Sequence, residues 1–447
     1  MKKFFGTDGI RGRANVYPMT PEVALKLGKA IAIVLKREKK KNAKIVIGKD
    51  TRLSGYMFET ALTSGLVSIG ADVLLLGPMP TPAIAHLTRS FDACAGIVIS
   101  ASHNPAEDNG IKIFDSDGFK LDDRTEREIE ALLESDAIPA NGAQIGKAFR
   151  IDDAKGRYIE FVKSSIENQG LEGLKLVVDC ANGAAYDIAK WVFKELGAEV
   201  IALNLSPDGL NINKNSGALH PEVISAAVKK FHADAGIALD GDADRLIVCD
   251  EKGNVLDGDR LMALFAFDLL SKGKLKGKKV VATVMSNYGF ELALKKKGIR
   301  LLRTAVGDIP VIQEMRKSGA VLGGEQSGHI IFSEFSTAGD GIISALQLLR
   351  ILKKSGKKLS DLSNVFSPVP QLLGNVKVRE KIPFEKMHSV KAKISKAEKK
   401  LKGKGRLLVR YSGTENLARV MVEGKNKKQI NALMHDILNE IKKEIGA

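Results

Sequence analysis

The 447-residue sequence is poor in cysteine and in long hydrophobic runs. Cys94, Cys180 and Cys249 lie far apart without a C-x-x-C pair, which argues against a disulfide framework and a zinc cage. They fall in apolar or strand-like runs, so we expect buried, reduced thiols. The longest apolar stretch, near 261–267, is far shorter than the ~20 residues that span a bilayer. The start turns polar and glycine-rich without the apolar core of a signal peptide, so we expect a soluble, cytoplasmic protein.

Aromatic residues are also scarce, at 5% of the chain with one Trp, so no stacking platform for nucleic acid is predicted. Charge is the unusual feature, because 69 Lys and Arg against 53 Asp and Glu give a net charge of +16. Such a balance is typical of proteins that meet nucleic acid, an anionic membrane or a phosphorylated small molecule. A basic nucleic-acid-binding protein is therefore kept as the alternative from a different class.

Short runs rich in Val and Ile alternate with helical patterns, which predicts largely parallel sheets covered on both faces. The predicted strands form three sets, at 44–48, 72–77 and 96–100, at 174–179, 198–204 and 235–240, and at 278–284, 299–307 and 320–325. After residue 370 the pattern changes to strands beside two lysine-rich helices. We predict an α/β fold of three similar α/β domains (1–150, 151–252, 253–368) with mixed, mostly parallel sheets, plus a smaller α+β domain (371–447).

Ligands of open α/β sheets bind beyond the carboxyl ends of strands, and polar loops follow the predicted strands at such ends. The first loop, SASHNPAEDNG, begins at Ser100. Its Ser102 beside His103 is typical of a nucleophile next to a base. Ser, Asn and Pro also build ordinary turns, and the G-x-S-x-G pattern of a hydrolase is absent, so a structural turn stays open.

The second loop, DGDADR, places Asp240, Asp242 and Asp244 at alternate positions between two strand-like runs, followed by Arg245. Three carboxylates this close resist ionising together unless a cation binds them. Oxygen ligands favour Mg²⁺ or Ca²⁺, but Arg245 occupies the position where an EF-hand needs glycine, and strands flank the loop. The loop therefore predicts a metal site, with Mg²⁺ preferred.

Two further loops carry weaker signals. In GGEQSGH, Glu325 and Ser327 can hydrogen-bond vicinal sugar hydroxyls and His329 can act as a general acid or base, although a glycine-rich turn is the simpler interpretation. In RYSGTE, Arg410 with Arg419 and the intervening hydroxyl and backbone donors form a nest suited to phosphate. A charged hairpin is the alternative there.

In this order, SASHNP, DGDADR, GEQSGH and RYSGTE resemble the motifs of the α-D-phosphohexomutase superfamily over essentially the whole chain. The resemblance implies three related α/β domains and a smaller fourth domain around a central cleft. The opening FGTDGIRG, the form ISASHNP and Gln326 are similar to the members that act on glucosamine phosphates. Phosphomannomutase/phosphoglucomutase members usually carry another residue at the Gln326 position, and they remain the nearest alternative.

The resemblance also implies roles for single residues. Ser102 would be the phosphorylated serine, and one Mg²⁺ would be held by a phosphate oxygen of Ser102 with Asp240, Asp242 and Asp244. The implied sugar-binding residues are Glu325 and Ser327, and the residues implied for the non-reacting phosphate are Arg410, Ser412, Gly413, Thr414 and Arg419. The other candidate catalytic residues are Arg11, His103, Lys112, Arg245 and His329, with Lys112 preferred for proton transfer and His329 second.

The reaction implied by the resemblance interconverts glucosamine 6-phosphate and glucosamine 1-phosphate through a phosphoserine enzyme and a bisphosphate intermediate. Such a step leads towards amino-sugar nucleotides and cell-wall precursors. We expect a small-molecule hexosamine phosphate as partner, no nucleic acid and no membrane, and we leave a homodimer open. We also expect the fourth domain to close over the substrate and exclude water. A metal-dependent phosphatase is a further alternative, which would release inorganic phosphate stoichiometrically.

Overall fold

The computed structural model describes residues 4–6, 8–36, 43–133, 141–167, 169–412 and 415–447. The chain divides into two compact units. The first consists of Met1–Thr283 with Leu302–Asn364, and the second of Val284–Leu301 with Val365–Ala447. The second unit therefore contains the C-terminal stretch and also residues 284–301, which the predicted boundaries assign to the third domain.

The first sheet has six strands, and its central strands are buried on both faces, as a covered parallel sheet requires. Its elements are β1 (Ile10–Arg13), α1 (Pro21–Lys36), β2 (Lys44–Lys49), α2 (Ser54–Ser68), β3 (Asp72–Pro78), α3 (Thr81–Ser90), β4 (Ala95–Ile99), β5 (Asp108–Phe114), α4 (Asp123–Leu133) and β6 (Ala148–Arg150). The strand order is β1-β5-β4-β2-β3-β6, with β5 and β1 antiparallel to their neighbours. Since β2 and β4 are parallel neighbours, the loops that follow them lie side by side.

The second sheet repeats this plan. Its elements are α5 (Ala154–Ser164), β7 (Lys175–Asp179), α6 (Ala189–Glu195), β8 (Glu199–Leu203), α7 (Pro221–Phe231), β9 (Ala235–Leu239), β10 (Leu246–Asp250) and β11 (Val255–Leu256). The strand order is β11-β10-β9-β7-β8, in which β7, β8 and β9 run parallel and β10 returns antiparallel to β9. Leu239 pairs with Leu246, so the aspartate loop is the tip of a hairpin.

The third sheet has four strands in the order β13-β12-β14-β15. The elements of this region are α8 (Gly258–Ser271), β12 (Lys279–Thr283), α9 (Tyr288–Lys296), β13 (Arg300–Thr304), α10 (Asp308–Ser318), β14 (Leu322–Gly324), β15 (Ile330–Phe332), α11 (Gly341–Ser355) and α12 (Leu359–Leu362). Parallel β12 and β14 are again followed by an antiparallel partner, since Gly324 pairs with Ile330. The GGEQSGH loop is therefore also a hairpin tip.

The second unit carries a three-stranded antiparallel sheet of order β16-β18-β17. The elements of this C-terminal part are β16 (Gln371–Lys377), α13 (His388–Leu401), β17 (Gly405–Tyr411), β18 (Leu417–Gly424) and α14 (Lys427–Ile445). Apolar side chains of α13 and α14 pack on the sheet in one core. The RYSGTE loop joins β17 to β18, so all four predicted loops connect a strand to an antiparallel neighbour.

The fold class predicted from the sequence is confirmed, with mixed α/β sheets in the first part of the chain and an α+β arrangement at its C-terminal end. The predicted strands agree with the observed ones to within a few residues. The exceptions are the antiparallel return strands, several of which have no counterpart in the predicted sets. The three cysteines are buried and form no disulfide in the described part of the chain. Within the described ranges, every helix is either too short or too polar to cross a bilayer.

Candidate active site

Ser102 lies in the hairpin between β4 and β5 and is 1% exposed. Its Oγ donates a hydrogen bond to Asp240 Oδ2 at 2.7 Å, so the serine loop and the aspartate loop meet directly. His103 Nδ1 is 3.4 Å from the same Oγ. Burial, with the nearby charges of Arg245 and Arg11, lowers the pKa of His103 to about 4, so the imidazole is neutral at pH 7. Ser102 is thereby placed between a carboxylate and a neutral ring.

The aspartate loop gathers three buried carboxylates. One oxygen from each of Asp240, Asp242 and Asp244 lies within 4.8 Å of the others. The glycine between the first two aspartates allows the loop to approach the serine, because a Cβ at Gly241 would be only 2.6 Å from the carbonyl oxygen of Ser102. The spacing seen in the sequence therefore serves both the cluster and its contact with Ser102.

The electrostatics of the cluster favour a bound cation. Burial, followed by the charges of the other two aspartates, holds the pKa of Asp240 well above its ordinary value. Burial and Asp242 likewise raise the pKa of Asp244. Among the described residues, neither Asp242 Oδ1 nor Asp244 Oδ1 has a hydrogen-bond partner, although both atoms are buried. Unpaired, mutually repelling carboxylate oxygens are the donor set that a hard divalent ion such as Mg²⁺ takes, so the residues fit this cofactor.

Lys112, on β5, is the principal positive charge next to the cluster and is 1% exposed. Its Nζ lies 2.8 Å from Asp242 Oδ2, 3.8 Å from Asp244 Oδ2 and 3.5 Å from Asp8 Oδ2. Burial disfavours the ammonium form, but these three carboxylates outweigh it and raise the pKa of Lys112. The same contact lowers the pKa of Asp242 against the opposing effect of burial. Lys112 is therefore protonated in this arrangement.

Arg245 and His329 complete the other side of the site. Arg245 Nε lies 4.0 Å from Asp240 Oδ2 and 3.9 Å from Asp244 Oδ1. His329 pairs with Arg245 in an isolated bridge, and its Nε2 is 3.7 Å from Asp244 Oδ2 and 3.9 Å from Asp308 Oδ2. The GGEQSGH hairpin is thus attached to the aspartate loop through these two residues.

The remaining candidates of the first unit differ in exposure. Glu325 is partly buried and accepts a hydrogen bond from the backbone of Gly307 at 3.1 Å, whereas Ser327 is exposed. Arg11 is paired with Asp8, and its Nε has no partner among the described residues. The side-chain amide of Gln326 donates to Asp257 Oδ2 at 3.2 Å. In the first unit the structure thus gathers Ser102, the aspartates, Lys112, Arg245 and His329.

Sequence reasoning missed part of this charge network. Lys120 Nζ is bound by both Asp8 and Asp308, and Thr81 Oγ1 donates to Asp242 Oδ2 at 2.6 Å. Asp8 has a visible signal, since it lies in the opening FGTDGIRG motif. Lys120 and Asp308 have none, because 188 residues separate them in the chain. The missed residues keep the buried charges of the site paired.

The fourth candidate loop belongs to the second unit and is described on its own. Arg410 and Arg419 are direct partners across β17 and β18, which places two like charges opposite each other. Burial and then the charge of Arg419 lower the pKa of Arg410. Ser412 is buried and accepts a backbone hydrogen bond from Glu415 at 3.4 Å. Gly413 and Thr414, two of the predicted phosphate-binding residues, lie outside the described residues.

A buried serine beside a cluster of three carboxylates that can hold a cation, at hairpin tips of successive α/β sheets, is the kind of site that transfers phosphoryl groups. The chain matches the phosphoglucomutase/phosphomannomutase alpha/beta/alpha domains I, II and III over residues 2–138, 156–253 and 257–369, and the C-terminal domain over residues 373–440. The chain therefore belongs to the phosphoglucomutase/phosphomannomutase family and is a mutase, an intramolecular phosphotransferase.

Relatives with similar sequences carry a more specific name. The phosphoglucosamine mutase of Pelobacter propionicus is 56% identical over 100% of this chain and 99% of its own. That of Paracoccus denitrificans is 54% identical over 99% of both chains. The resemblance to the superfamily, and within it to the members that act on glucosamine phosphates, is confirmed at this level.

Solved structures agree on the fold. A phosphoglucomutase/phosphomannomutase family protein from Burkholderia thailandensis superposes with a TM-score of 0.81 at 25% identity, covering 99% of both chains. The N-acetylphosphoglucosamine mutase of Aspergillus fumigatus, solved in complex with GlcNAc-6P and magnesium, has a TM-score of 0.70 at 19% identity over 99% of this chain and 96% of its own. At that identity the second likeness bears on the fold alone.

Proposed function

We propose that the protein interconverts glucosamine 6-phosphate and glucosamine 1-phosphate, with Ser102 as the residue that carries the transferred phosphoryl group. The observation that supports this most directly is the 2.7 Å hydrogen bond from Ser102 Oγ to Asp240 in the buried carboxylate cluster. A serine in this position becomes, once phosphorylated, a phosphoryl donor next to a cation site. The names of the full-length relatives support the choice of glucosamine phosphate as substrate.

Asp240, Asp242 and Asp244, with a phosphate oxygen on Ser102, are the groups that would hold Mg²⁺. When bound, the ion supplies positive charge that neutralises the transferring phosphoryl group. The chain's own residues provide the other charges, since Lys112 lies 2.8 Å from Asp242 and Arg245 lies 4.0 Å from Asp240. Positioning and electrostatic stabilisation are the main demands of phosphoryl transfer, and a buried, charge-lined site meets both.

The reaction needs two balanced steps. In the first, the hydroxyl oxygen at C1 of glucosamine 6-phosphate attacks the phosphorus on Ser102, the phosphorus–Oγ bond breaks, and a proton passes overall from the sugar hydroxyl to Oγ. In the second, the bisphosphate has turned round, Ser102 Oγ attacks the phosphorus at O6, the phosphorus–O6 bond breaks, and a proton passes overall from Oγ to O6. The products are glucosamine 1-phosphate and a rephosphorylated serine.

Proton transfer is assigned first to Lys112. Its ammonium Nζ lies 2.8 Å from Asp242, in the same carboxylate cluster that Ser102 Oγ contacts through Asp240, and this position supports Lys112 as the group that supplies a proton to Oγ as the phosphorus–Oγ bond breaks. His329 is the second candidate, since its ring lies against Asp244 and its Nδ1 is buried without a partner among the described residues. His103 and Arg11 are proposed to line the same end of the site.

Substrate binding is assigned to two sets of residues. Glu325 and Ser327 are proposed to bind sugar hydroxyls, and the non-reacting phosphate is proposed to bind Arg410, Ser412, Gly413, Thr414 and Arg419. The arginines support this assignment, because two like charges on paired strands are stabilised by an anion between them. A substrate that reacts through either end needs such a second anchor.

Mass spectrometry and a substrate panel test the proposal. We expect active wild-type protein to carry one phosphate on Ser102, and Ser102→Ala to fold normally but lose turnover. Ser164→Ala, at an exposed serine on α5, is the control and should keep wild-type activity. Among glucosamine, glucose and mannose 6-phosphates, glucosamine 6-phosphate should turn over fastest. Absence of phosphate on Ser102 in active protein contradicts the mechanism, and faster turnover of mannose 6-phosphate contradicts the substrate.

A further inference from the structure

The segment that follows β2 contains a buried arginine for which the site described above has no role. Arg52 has 0% of its surface exposed, which is rare for arginine unless its donors are all used. Its Nη1 is paired with Asp50 Oδ2. Its Nη2 donates to the carbonyl oxygens of Ser102 at 3.2 Å and Asn104 at 2.5 Å. The guanidinium therefore joins the strand end of β2 to the backbone of the serine loop.

Asp50 reaches the serine loop by a second route. Ser100 Oγ donates to Asp50 Oδ2 at 2.5 Å and accepts a hydrogen bond from the backbone N–H of Ser102 at 2.9 Å. Asp50 is thus the common acceptor for two side chains that each hold one backbone group of Ser102. We call Asp50, Arg52 and Ser100 the serine clamp. From the second sheet's region, Asn213 Nδ2 adds a bond to the Ser102 carbonyl at 2.9 Å.

The conformation that the clamp holds is unfavourable for serine. Ser102 has a φ of 52°, in the left-handed region that residues with a Cβ seldom adopt. Such backbone conformations persist only where the surroundings determine them fully. Both backbone polar groups of Ser102 are satisfied by buried side chains, and this leaves Oγ turned towards Asp240. A loosened clamp would let Ser102 relax to a commoner conformation with Oγ displaced.

We propose that the serine clamp positions the nucleophile, by fixing the backbone of Ser102 in a left-handed conformation that directs Oγ at the carboxylate cluster. The inference rests on the proposed role of Ser102 in phosphoryl transfer. Asp50, Arg52 and Ser100 act through Ser102, so they are positioning residues. A displacement of about 1 Å at a reacting atom can cost roughly 10²-fold in rate, which sets the size of the expected effect.

Two substitutions loosen the clamp and one serves as a matched control. Arg52→Lys keeps the charge but loses the forked donors, and Ser100→Ala removes only the hydroxyl that bonds the N–H of Ser102. Thr51→Val is the control, because Thr51 is also buried and also makes a hydrogen bond across the fold, to Asn182 O at 2.6 Å, yet that bond does not involve the serine loop. All three variants are compared with wild type in melting temperature, KM, kcat and the rate of phosphate transfer from a hexose 1,6-bisphosphate to Ser102.

We expect Arg52→Lys to slow both kcat and phosphorylation of Ser102 by about 10²-fold and Ser100→Ala by about 10-fold, with KM within about threefold of wild type. The double variant should lose less than the product of the two single effects, because both act on one backbone unit. Thr51→Val should have a lower melting temperature but the wild-type kcat. This control separates an effect on the position of Ser102 from a general loss of stability.

Several outcomes would overturn the inference while leaving the proposed function in place. If wild-type protein is phosphorylated on Ser102 but Ser100→Ala and Arg52→Lys react at the wild-type rate, the clamp does not position the nucleophile. The same conclusion follows if Thr51→Val slows phosphorylation as much as Ser100→Ala at equal loss of stability. If Arg52→Lys does not fold, Ser100→Ala decides the question alone. A wild-type protein that takes no phosphate on Ser102 would instead contradict the proposed function.

Discussion

Two regions of the molecule gather like charges, and they do so in opposite ways. The aspartate loop holds three carboxylates that are buried, with Lys112 and Arg245 partly neutralising them. The RYSGTE hairpin holds two arginines opposite each other on paired strands, and the side chain of Arg419 is 37% exposed. Water can screen the arginines but not the aspartates. The buried cluster should therefore depend on its partners for structure as well as chemistry, while the hairpin should affect mainly substrate affinity.

The largest effect is expected from Asp242→Asn. This substitution removes one candidate metal ligand and the closest carboxylate to Lys112, so both the cation site and the charge balance are impaired. We expect kcat to fall by about 10³-fold, comparable with the loss of a principal electrostatic contact in other active sites. Calorimetric titration with Mg²⁺ should detect binding to wild type and much weaker binding to the variant.

Asp152→Asn, at an exposed aspartate outside the cluster, is the control for Asp242→Asn and should behave as wild type. Thermal melting of the variant checks that it is folded. If Asp242→Asn keeps Mg²⁺-dependent activity within tenfold of wild type, the aspartate loop has no essential role in the reaction. The buried cluster and the arginine hairpin would then not differ in the way described above.

Asp340 is a buried carboxylate outside the aspartate loop, and it tests whether burial alone makes the stability of the first unit sensitive to pH. Asp340 is the N-cap residue of α11, where its Oδ1 accepts from the backbone of Ile342 and Ile343, and its Oδ2 accepts from Tyr158 at 2.7 Å. Burial raises the pKa of Asp340 to about 6, although these hydrogen bonds oppose the shift. The folded protein therefore binds this proton more tightly than the unfolded chain does.

The sign of the pH effect follows from this difference. Between the ordinary pKa of 3.8 and about 6, the unfolded chain has already released the proton while the folded protein retains it, so stability falls as pH rises. Two pKa units correspond to about 3 kcal/mol. As pH rises from 4.5 to 7.5, wild type should lose stability and Asp340→Asn should not. The melting temperature of the variant should therefore rise by several degrees relative to that of wild type over this range. If the difference in melting temperature between Asp340→Asn and wild type is the same at both pH values, Asp340 titrates as an exposed group does.

The arginine hairpin should respond differently. Arg410→Met removes one of two facing cations, so we expect KM for the sugar phosphate to rise by about 10- to 100-fold, the usual worth of a charge-assisted hydrogen bond. Relief of the repulsion from Arg419 should leave the melting temperature unchanged or slightly higher. Arg379→Met, at an exposed arginine of the same unit, is the control and should keep the wild-type KM. A collapse of kcat with unchanged KM would place Arg410 at the reacting end instead.

The sequence was sufficient to predict the parts of the site that are local. Apolar strands that end in polar residues predicted the four loops, and three aspartates at alternate positions predicted the carboxylate cluster that the structure contains. A hairpin was considered only for RYSGTE, as the alternative to a phosphate-binding nest, and strand-like runs were recognised on both sides of the aspartate loop, but no return strand was predicted after the serine loop or after GGEQSGH. The return strand β15 has only three residues, and the seven-residue β5 begins within the polar serine loop, so their patterns do not distinguish them from loop segments.

Contacts between distant parts of the chain could not be predicted in this way. Lys120 joins Asp8 to Asp308, and Arg52 joins β2 to the serine loop, but each side chain lies in a stretch whose local pattern indicates only a turn. Their roles depend on which strands become neighbours. Sheet order is decided by packing of the whole domain, which a single sequence does not encode position by position.

The smallest expected effect concerns the surplus of positive charge. Residues 371–447 contain 19 basic and 8 acidic residues, which is most of the net charge of +16. Many of these lysines, including Lys399 and Lys400 in the last turn of α13, are exposed. A surplus of this kind acts at long range, by raising the local concentration of an anionic substrate, and salt screens it over about 10 Å at 0.1 M.

We expect KM to rise by only about two- to fivefold between roughly 20 and 200 mM salt. Lys399→Glu with Lys400→Glu should flatten that dependence without changing kcat, because the arginine pair remains. A KM that ignores salt in both proteins would mean that the surplus only solvates the helices, and that the hairpin binds phosphate through direct contacts alone.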